Sequence, residues 1–192
     1  MAEHGADAGG PEGDAAAHRA LRDLEAGLRT LRAPGKDVGV VALIVCRRRD
    51  GVRETPVRVH LSREEGVPGD GWIRRPPRDP AAQLAVMRRD VAALIANGQP
   101  LTLFGDNLFV DLDLSAANLP TGAQLRVGRA LVEVTPKPHN GCHKFKGRFG
   151  GDALRFVQQG PTRDQNLRGI YWRVAEPGEV SVGDPIQVLE RA

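Results

Sequence analysis

The residues best suited to chemistry in this sequence lie in one short segment, residues 136–150, which contains Cys142. The segment holds three lysines, one arginine and two histidines, and it has no acidic residue. Neighbouring cations stabilise a thiolate, the form of cysteine that acts as a nucleophile or binds a soft metal. The same cations attract phosphate and other anions. The composition therefore predicts a soft ligand beside an anion-binding surface.

Other interpretations of this segment remain open at the level of the residues alone. Cys142 could pack as an ordinary apolar side chain while the lysines are solvated. His139, Cys142 and His143 could supply zinc ligands, but adjacent Cys142 and His143 rarely reach one ion together, and no second cysteine pair completes a tetrahedral site. The sequence gives only weak support for a protease-like Cys–His pair, because no residue that would orient the histidine can be identified.

The elements that position this segment are predicted to be mostly β. The 23 glycines and 14 prolines of the sequence end regular elements, so they favour short strands joined by turns over a helical bundle. The prolines and glycines within 136–150 predict a loop that follows a strand ending at Thr135. Short strands are predicted at 38–46, 52–61, 84–87, 101–104, 107–111, 123–127, 130–135, 169–175 and 185–189. A closed or partly open β-barrel with a few short helices accommodates this pattern best.

The chain divides into three predicted regions. Residues 1–17 are small and acidic and are expected to form a disordered tail. Residues 18–33 are expected to form an amphipathic helix that Pro34-Gly35 ends, because leucines recur at helical spacing. Residues 38–190 are expected to form the barrel domain. A second helix is predicted after Met87, with Asn97-Gly98 closing it.

Composition narrows the class of protein further. A chain of 192 residues suits one domain, and its 27 basic residues are spread along it and offset by 24 acidic ones. Nucleic-acid binding is therefore unlikely to be its role. The sequence has no signal-peptide pattern and no apolar run long enough to span a membrane. Two cysteines form no disulfide framework, so a cytoplasmic protein with reduced thiols is expected.

A series of short motifs occurs in a fixed order along this sequence. The motifs are Gly105-Asp106-Asn107-Leu108-Phe109-Val110-Asp111-Leu112-Asp113-Leu114, Asn118-Leu119-Pro120, Gly122, Val127-Gly128, Leu131-Val132-Glu133-Val134-Thr135, Cys142, Lys144-Phe145, Arg168-Gly169-Ile170-Tyr171 and Gly183-Asp184-Pro185-Ile186. This series resembles a known family, the MOSC domain, which is found in molybdenum cofactor sulfurases and in short stand-alone bacterial proteins. The resemblance extends from about residue 39 to residue 189.

The resemblance implies a barrel like that of pyruvate kinase and a molybdenum-bearing pterin cofactor (molybdopterin). Cys142 falls at the family's key cysteine, which ligates molybdenum or carries sulfur as a persulfide. Reductive members of the family remove oxygen from N-hydroxylated small molecules. This sequence departs from the family pattern at Gly141 and His143, where relatives often have Pro or Ser before the cysteine and an aromatic residue after it.

Together, the residues and the resemblance lead to one hypothesis and two alternatives. The leading hypothesis is a molybdenum-cofactor oxidoreductase in which Cys142 is the catalytic residue and metal ligand. The sequence contains no ferredoxin-like cysteine cluster, so its electrons are expected from a separate reductase. The alternatives are a sulfur carrier with a Cys142 persulfide and a separate sulfur donor, and a non-catalytic module that binds an anionic ligand. The residues expected to bind the cofactor are Asn140, His143, Lys144, Arg148 and Arg168.

Overall fold

The computed structural model describes residues 11–74 and 76–191. Its three helices are α1 (Leu21–Thr30), α2 (Arg89–Ala96) and α3 (His143–Gln158). Helix α1 lies within the predicted range 18–33. Of the predicted disordered tail, residues 1–10 lie outside the described residues, and Ala15–Ala17 form a short 3-10 helix.

Eleven strands are present in the described part of the chain, and seven of them close into a barrel. The barrel order is β1-β11-β7-β8-β9-β5-β6, and β6 pairs back to β1. Two further pairs, β2–β3 and β10–β4, lie outside the barrel. The strands are β1 (Val38–Ile44), β2 (Cys46–Arg47), β3 (Arg53–Glu54), β4 (Arg58–Leu61), β5 (Leu84–Arg88), β6 (Leu108–Asp111), β7 (Gln124–Val127), β8 (Ala130–Val134), β9 (Ile170–Glu176), β10 (Gly178–Ser181) and β11 (Pro185–Glu190). The predicted mostly β barrel fold is confirmed.

Alternating side chains fill the barrel interior. Strand β8 has the burial pattern of a half-exposed strand, with Ala130, Val132 and Val134 inside. Strands β5 and β6 run parallel to each other and are buried on both faces. Helix α2 connects them, because a parallel pair needs a crossover, and it covers their outer side. This explains why residues 84–87 of β5 form an uninterrupted apolar run rather than an alternating one.

The helices form a second hydrophobic cluster on the outside of the barrel. Leu24 of α1, Val91 of α2 and Phe149 of α3 are all almost fully buried in this cluster. Phe149 stacks on Phe104 with ring centroids 4.1 Å apart. The leucine stripe of α1 therefore packs against α2 and α3, and this packing holds α3 against one end of the barrel. None of the helices in the described part of the chain is long and apolar enough to span a membrane.

Two predictions of local structure are wrong. Residues 101–104 were expected to be a strand, but Leu101–Leu103 form a 3-10 helix. Residues 136–150 were expected to be a loop, but the loop ends at Cys142 and α3 begins at His143. The glycines of this segment favoured a loop in the sequence-based prediction. In the structure, Gly150 interrupts the helix with a φ of 91°. Its apolar residues nevertheless follow helical spacing, since Phe145, Phe149, Ala153 and Phe156 are buried on one side.

Candidate functional site

The register of the barrel brings four chain segments together at one end. Ile44 pairs with Leu108, Leu108 with Val86, and Val86 with Ile170. The end of β1 and the starts of β6 and β9 therefore lie side by side. The loop that follows β8 completes this end, because Val134 pairs with Trp172 of β9. Residues just beyond these strand ends are placed around a common opening.

A cavity of ≈ 780 Å³ occupies this end of the barrel. Its volume is within the usual range for a small-molecule or cofactor site. Cations dominate its wall: seven arginines and one lysine line it, against one acidic residue, Asp50. The lining comprises Arg47, Arg48, Arg49, Asp50, Gly51, Arg53, Gly71, Arg74, Ala85, Leu103, Phe104, Gly105, His139, Asn140, Cys142, Lys144, Phe145, Arg148, Phe149, Arg168 and Tyr171. We call it the main cavity.

Cys142 is exposed at this cavity and lies immediately before the first residue of α3. Its carbonyl oxygen accepts the first hydrogen bond of the helix, from Lys146 N at 3.0 Å. Burial lowers the pKa of the Arg148 guanidinium, and the nearby Cys142 opposes that shift. Cys142 is therefore an exposed cysteine in the same cavity wall as the Arg148 guanidinium.

Most of the predicted binding residues line the main cavity together with Cys142. Asn140 and Lys144 are exposed there, and Arg148 is half-buried. The Arg148 guanidinium is held in place because it donates to the carbonyl oxygens of Pro11 (2.9 Å) and Leu103 (2.7 Å). His143 is exposed and lies outside the cavity lining. Four of the five predicted binding residues are thus brought together, and His143 is not.

Arg168 forms a buried ion pair with Asp106. One of its terminal nitrogens donates to both carboxylate oxygens, at 3.0 and 2.8 Å, and the two side chains are 8% and 0% exposed. The guanidinium also lies over the Phe145 ring, 5.1 Å from its centroid. Its Nε has no hydrogen-bond partner among the described residues. Arg168 therefore presents a fixed cation, with an unused donor, in the wall of the main cavity.

His139 is buried between Asp106 and Tyr171. Its Nδ1 lies 3.6 Å from an Asp106 oxygen, beyond hydrogen-bond distance, and its ring lies 4.3 Å from the Tyr171 ring. Burial, with the positive charges of Arg168 and Arg47, lowers the pKa of His139 well below 6.5. The imidazole is therefore neutral near pH 7. Among the described residues, no three His, Cys, Asp or Glu side chains come together in a way that could hold a metal ion.

The depressed pKa of His139 predicts a pH dependence of stability. Below pH 6.5 the unfolded chain takes up a proton on this histidine that the folded protein does not, so the free energy of unfolding should fall as the pH falls. The slope from one such group is at most about 1.4 kcal/mol per pH unit. Urea unfolding of wild type and His139→Phe between pH 5 and 7.5 measures it. The phenylalanine variant should lose less stability on acidification, and parallel curves would contradict a neutral, buried His139.

Two arginines that sequence reasoning did not select complete the cavity wall. Arg47 donates to the buried carboxylate of Asp70 and to the carbonyl oxygen of Gly105 at 2.7 Å. Burial alone would raise the pKa of Asp70, but hydrogen bonds and the charge of Arg47 outweigh it and hold that pKa below 3.8. Arg74 donates to the carbonyl oxygens of Gly69 (2.8 Å) and Arg47 (2.9 Å). Its guanidinium is held by main-chain oxygens, so its charge stays available to a ligand.

Comparison with known proteins gives one decisive match. The family model for the MOSC domain matches residues 78–187, more than half of the chain. The chain belongs to the MOSC-domain family. The predicted resemblance is confirmed, and the matched part of this MOSC domain contains Asp106, Cys142 and Arg168. Arg47 and Arg74 precede the match and enter the site only through the tertiary structure.

Solved structures agree with the MOSC fold. The YuaD protein from Bacillus subtilis is 17% identical over 78% of this chain and 94% of its own, with a TM-score of 0.52. YiiM from Geobacillus stearothermophilus is 17% identical over 80% of this chain and 76% of its own, with a TM-score of 0.51. A hypothetical protein is 22% identical over 87% and 70%, also with a TM-score of 0.51. No curated protein matches the chain significantly. At these identities the likeness concerns the fold alone.

Proposed function

We propose that this MOSC domain binds a molybdenum-bearing pterin cofactor in the main cavity, with Cys142 as a ligand to the metal. We further propose that it reduces N-oxygenated small molecules with electrons from a separate reductase. One observation supports this most strongly: an exposed cysteine shares a large cationic cavity with fixed arginines in a chain of this family. Thiolate sulfur is a suitable soft ligand for a transition metal.

The residues present fit such a group. A cofactor phosphate needs cations whose positions are fixed before it binds, because each side chain that must be immobilised on binding costs free energy. Arg74, Arg148 and Arg168 meet this requirement, since hydrogen bonds to main-chain oxygens or to Asp106 hold each of them. The unused Nε donor of Arg168 offers a buried polar contact that a ligand oxygen would satisfy.

Three further residues of the cavity wall have separate roles in this proposal. Lys144 is exposed at the opening, where its positive charge attracts anions. Asn140 lies two residues before the cysteine and offers amide hydrogen bonds to the polar edges of a pterin. His139 is neutral, so it offers one donor and one acceptor rather than charge.

When bound, the cofactor would supply the redox chemistry for reducing an N–O bond, with electrons from the separate reductase. The chain contributes position and electrostatics. Cys142 holds its sulfur at the opening of the cavity, because the start of α3 fixes its backbone. The aromatic floor formed by Phe104, Phe145 and Phe149 excludes water from one side of the cavity. The arginines then act in a partly dry environment, where charge interactions are stronger than in water.

Metal and pterin content test the proposal directly. Wild type, Cys142→Ala and Cys46→Ala are purified and assayed for molybdenum by mass spectrometry and for oxidised pterin by fluorescence. Wild type and Cys46→Ala should retain both, because Cys46 is buried in the barrel core, whereas Cys142→Ala should lose most of its molybdenum. Equal molybdenum in wild type and Cys142→Ala, or none in any of them after cofactor loading, contradicts the proposal.

The exposure of Cys142 also favours a second candidate, a sulfur carrier. An accessible thiolate can take the outer sulfur of a persulfide on a separate donor protein, which is left as a thiol, and can then pass that sulfur on. Wild type without metal or pterin, but with an extra sulfur mass on Cys142 that a reductant removes, would support this role. An anion-dependent rise in melting temperature that Cys142→Ala leaves unchanged would instead indicate a non-catalytic anion-binding module.

A further inference from the structure

A second, smaller cavity adjoins the main cavity and has no role in the function proposed above. Its volume is ≈ 230 Å³, and it is lined by Arg47, Trp72, Pro77, Asp79, Ala82 and Tyr171. Arg47 and Tyr171 also line the main cavity, so these two side chains form the boundary between the two spaces. We call it the side cavity.

The aromatic walls of the side cavity are held in fixed orientations. The indole N–H of Trp72 donates to the carbonyl oxygen of Asp79 at 3.0 Å. The Tyr171 ring packs against the buried His139 ring, 4.3 Å away, on the side of the main cavity. Both rings are therefore ordered without a ligand, and a flat molecule would lose little free energy in ordering them.

The polar groups of the side cavity are already engaged. The Asp79 carboxylate accepts hydrogen bonds from Ala81 N at 2.8 Å and from the Lys137 ammonium. The Arg47 guanidinium is neutralised by Asp70 and also donates to Gly105 and Asn107. An anion or a metal would find few free partners here. The apolar part of the lining comes from Trp72, Tyr171 and Pro77. The Arg78 guanidinium, which is outside the lining, lies over the Trp72 ring, 5.9 Å from its centroid.

The size of the side cavity suits one ring system. An apolar cavity of about 150 Å³ holds a benzene molecule, so ≈ 230 Å³ accommodates a single or fused planar ring. It is too small for a pterin cofactor together with a substrate. A ring placed here lies beside Tyr171, so a substituent on it can extend past that boundary into the main cavity, which Cys142 lines.

We propose that the side cavity is the subsite for a planar aromatic ring of the substrate, and that Trp72 selects ring-bearing substrates over aliphatic ones. The proposal deepens the function inferred above and depends on it for the fate of the bound molecule, but not for ring binding itself. The reducible group of the substrate would then project from the ring toward Cys142.

Calorimetric titration of the purified full-length chain tests ring binding without any turnover. The probes are benzamidoxime, which carries a ring, and acetamidoxime, which has the same reducible group without one. Wild type should bind benzamidoxime about tenfold more tightly, since stacking on an aromatic side chain contributes a factor of this order. Trp72→Ala should remove that preference and leave acetamidoxime affinity unchanged, and Trp72→Phe should retain most of it.

Two outcomes overturn the subsite. Wild type that binds both amidoximes equally shows that the side cavity takes no ring. A ring preference that survives in Trp72→Ala, in protein with a normal melting temperature, shows that Trp72 does not select it. Molybdenum content is measured on the same samples. Ring preference in protein that holds no molybdenum after loading contradicts the proposed oxidoreductase alone, and loaded protein without ring preference contradicts the subsite alone.

Discussion

Arg168→Met should lower the free energy of unfolding by about 3–5 kcal/mol at pH 7, because it leaves the Asp106 carboxylate buried without its partner. The methionine retains much of the side-chain volume, so the effect measures the lost charge more than a cavity. Urea unfolding gives the value. The matched control is Arg89→Met, which breaks an ion pair with Asp111 whose side chains are 52% and 41% exposed. That loss should be about 1 kcal/mol or less.

The loss in Arg168→Met should also depend on pH. Burial raises the pKa of Asp106, and Arg168 opposes the rise, so removing Arg168 increases it. Above pH 3.8, the ordinary carboxyl pKa, Asp106 of the folded variant therefore keeps a proton that the unfolded chain releases. The free energy of unfolding of the variant then falls as the pH rises. The variant should thus be closer to wild type at pH 4.5 than at pH 7. The double variant Arg168→Met/Asp106→Leu should recover much of the loss, and equal deficits at both pH values would contradict a buried carboxylate.

The second large effect is expected from Gly169→Ala, at the start of β9. Gly169 has a φ of 98°, and an added Cβ would overlap the carbonyl oxygen of Val86 on the neighbouring strand. It would also approach His139 Nδ1 to 3.2 Å. Left-handed backbone costs an L-residue about 1–2 kcal/mol, and overpacking adds roughly 1–3 kcal/mol. We expect a total loss of about 2–5 kcal/mol in chemical unfolding. We also expect weaker cofactor retention, because Arg168 and Tyr171 flank this glycine.

Gly183→Ala separates the two contributions in Gly169→Ala. Gly183 has a φ of 91°, but no atom lies within 4 Å of the position that its Cβ would occupy. This variant should show only the backbone cost, about 1–2 kcal/mol. If Gly169→Ala is no less stable than Gly183→Ala, the close approach of β5 to the start of β9 is not as tight as described.

Local sequence predicted elements wherever one pattern dominated. Strands predicted at 84–87 and 130–135 correspond to β5 and β8. Asn97 ends α2 in the left-handed conformation, as the Asn97-Gly98 signal predicted. Helix α3 was missed because its glycines weaken helix propensity, and tertiary packing of Phe145 and Phe149 outweighs that weakness. Residues 101–104 were misassigned because a short apolar run does not distinguish a strand from a helical turn.

Some residues of the candidate site could be predicted from the sequence, and others could not. Cys142 could be selected from the sequence, because a cysteine among cations is a local pattern, and the ordered motifs around it indicated the family. The contribution of Arg47 and Arg74 could not be predicted from the sequence. Residues 47 and 142 line one cavity only after β1 pairs with β6, β6 with β5, and β5 with β9.

The sequence by itself determined that the chain folds mainly from short strands and belongs to the MOSC-domain family, and it selected Cys142 as the candidate functional cysteine. Only the tertiary structure decided which cations line the main cavity with Cys142, that the buried Asp106 carboxylate holds the Arg168 guanidinium in its wall, and that His139 is neutral. The physical reason is how far apart in the sequence the interacting residues lie. Strand periodicity and turns arise from neighbouring residues, whereas burial and ion pairing depend on groups that closure of the barrel brings together from distant parts of the chain.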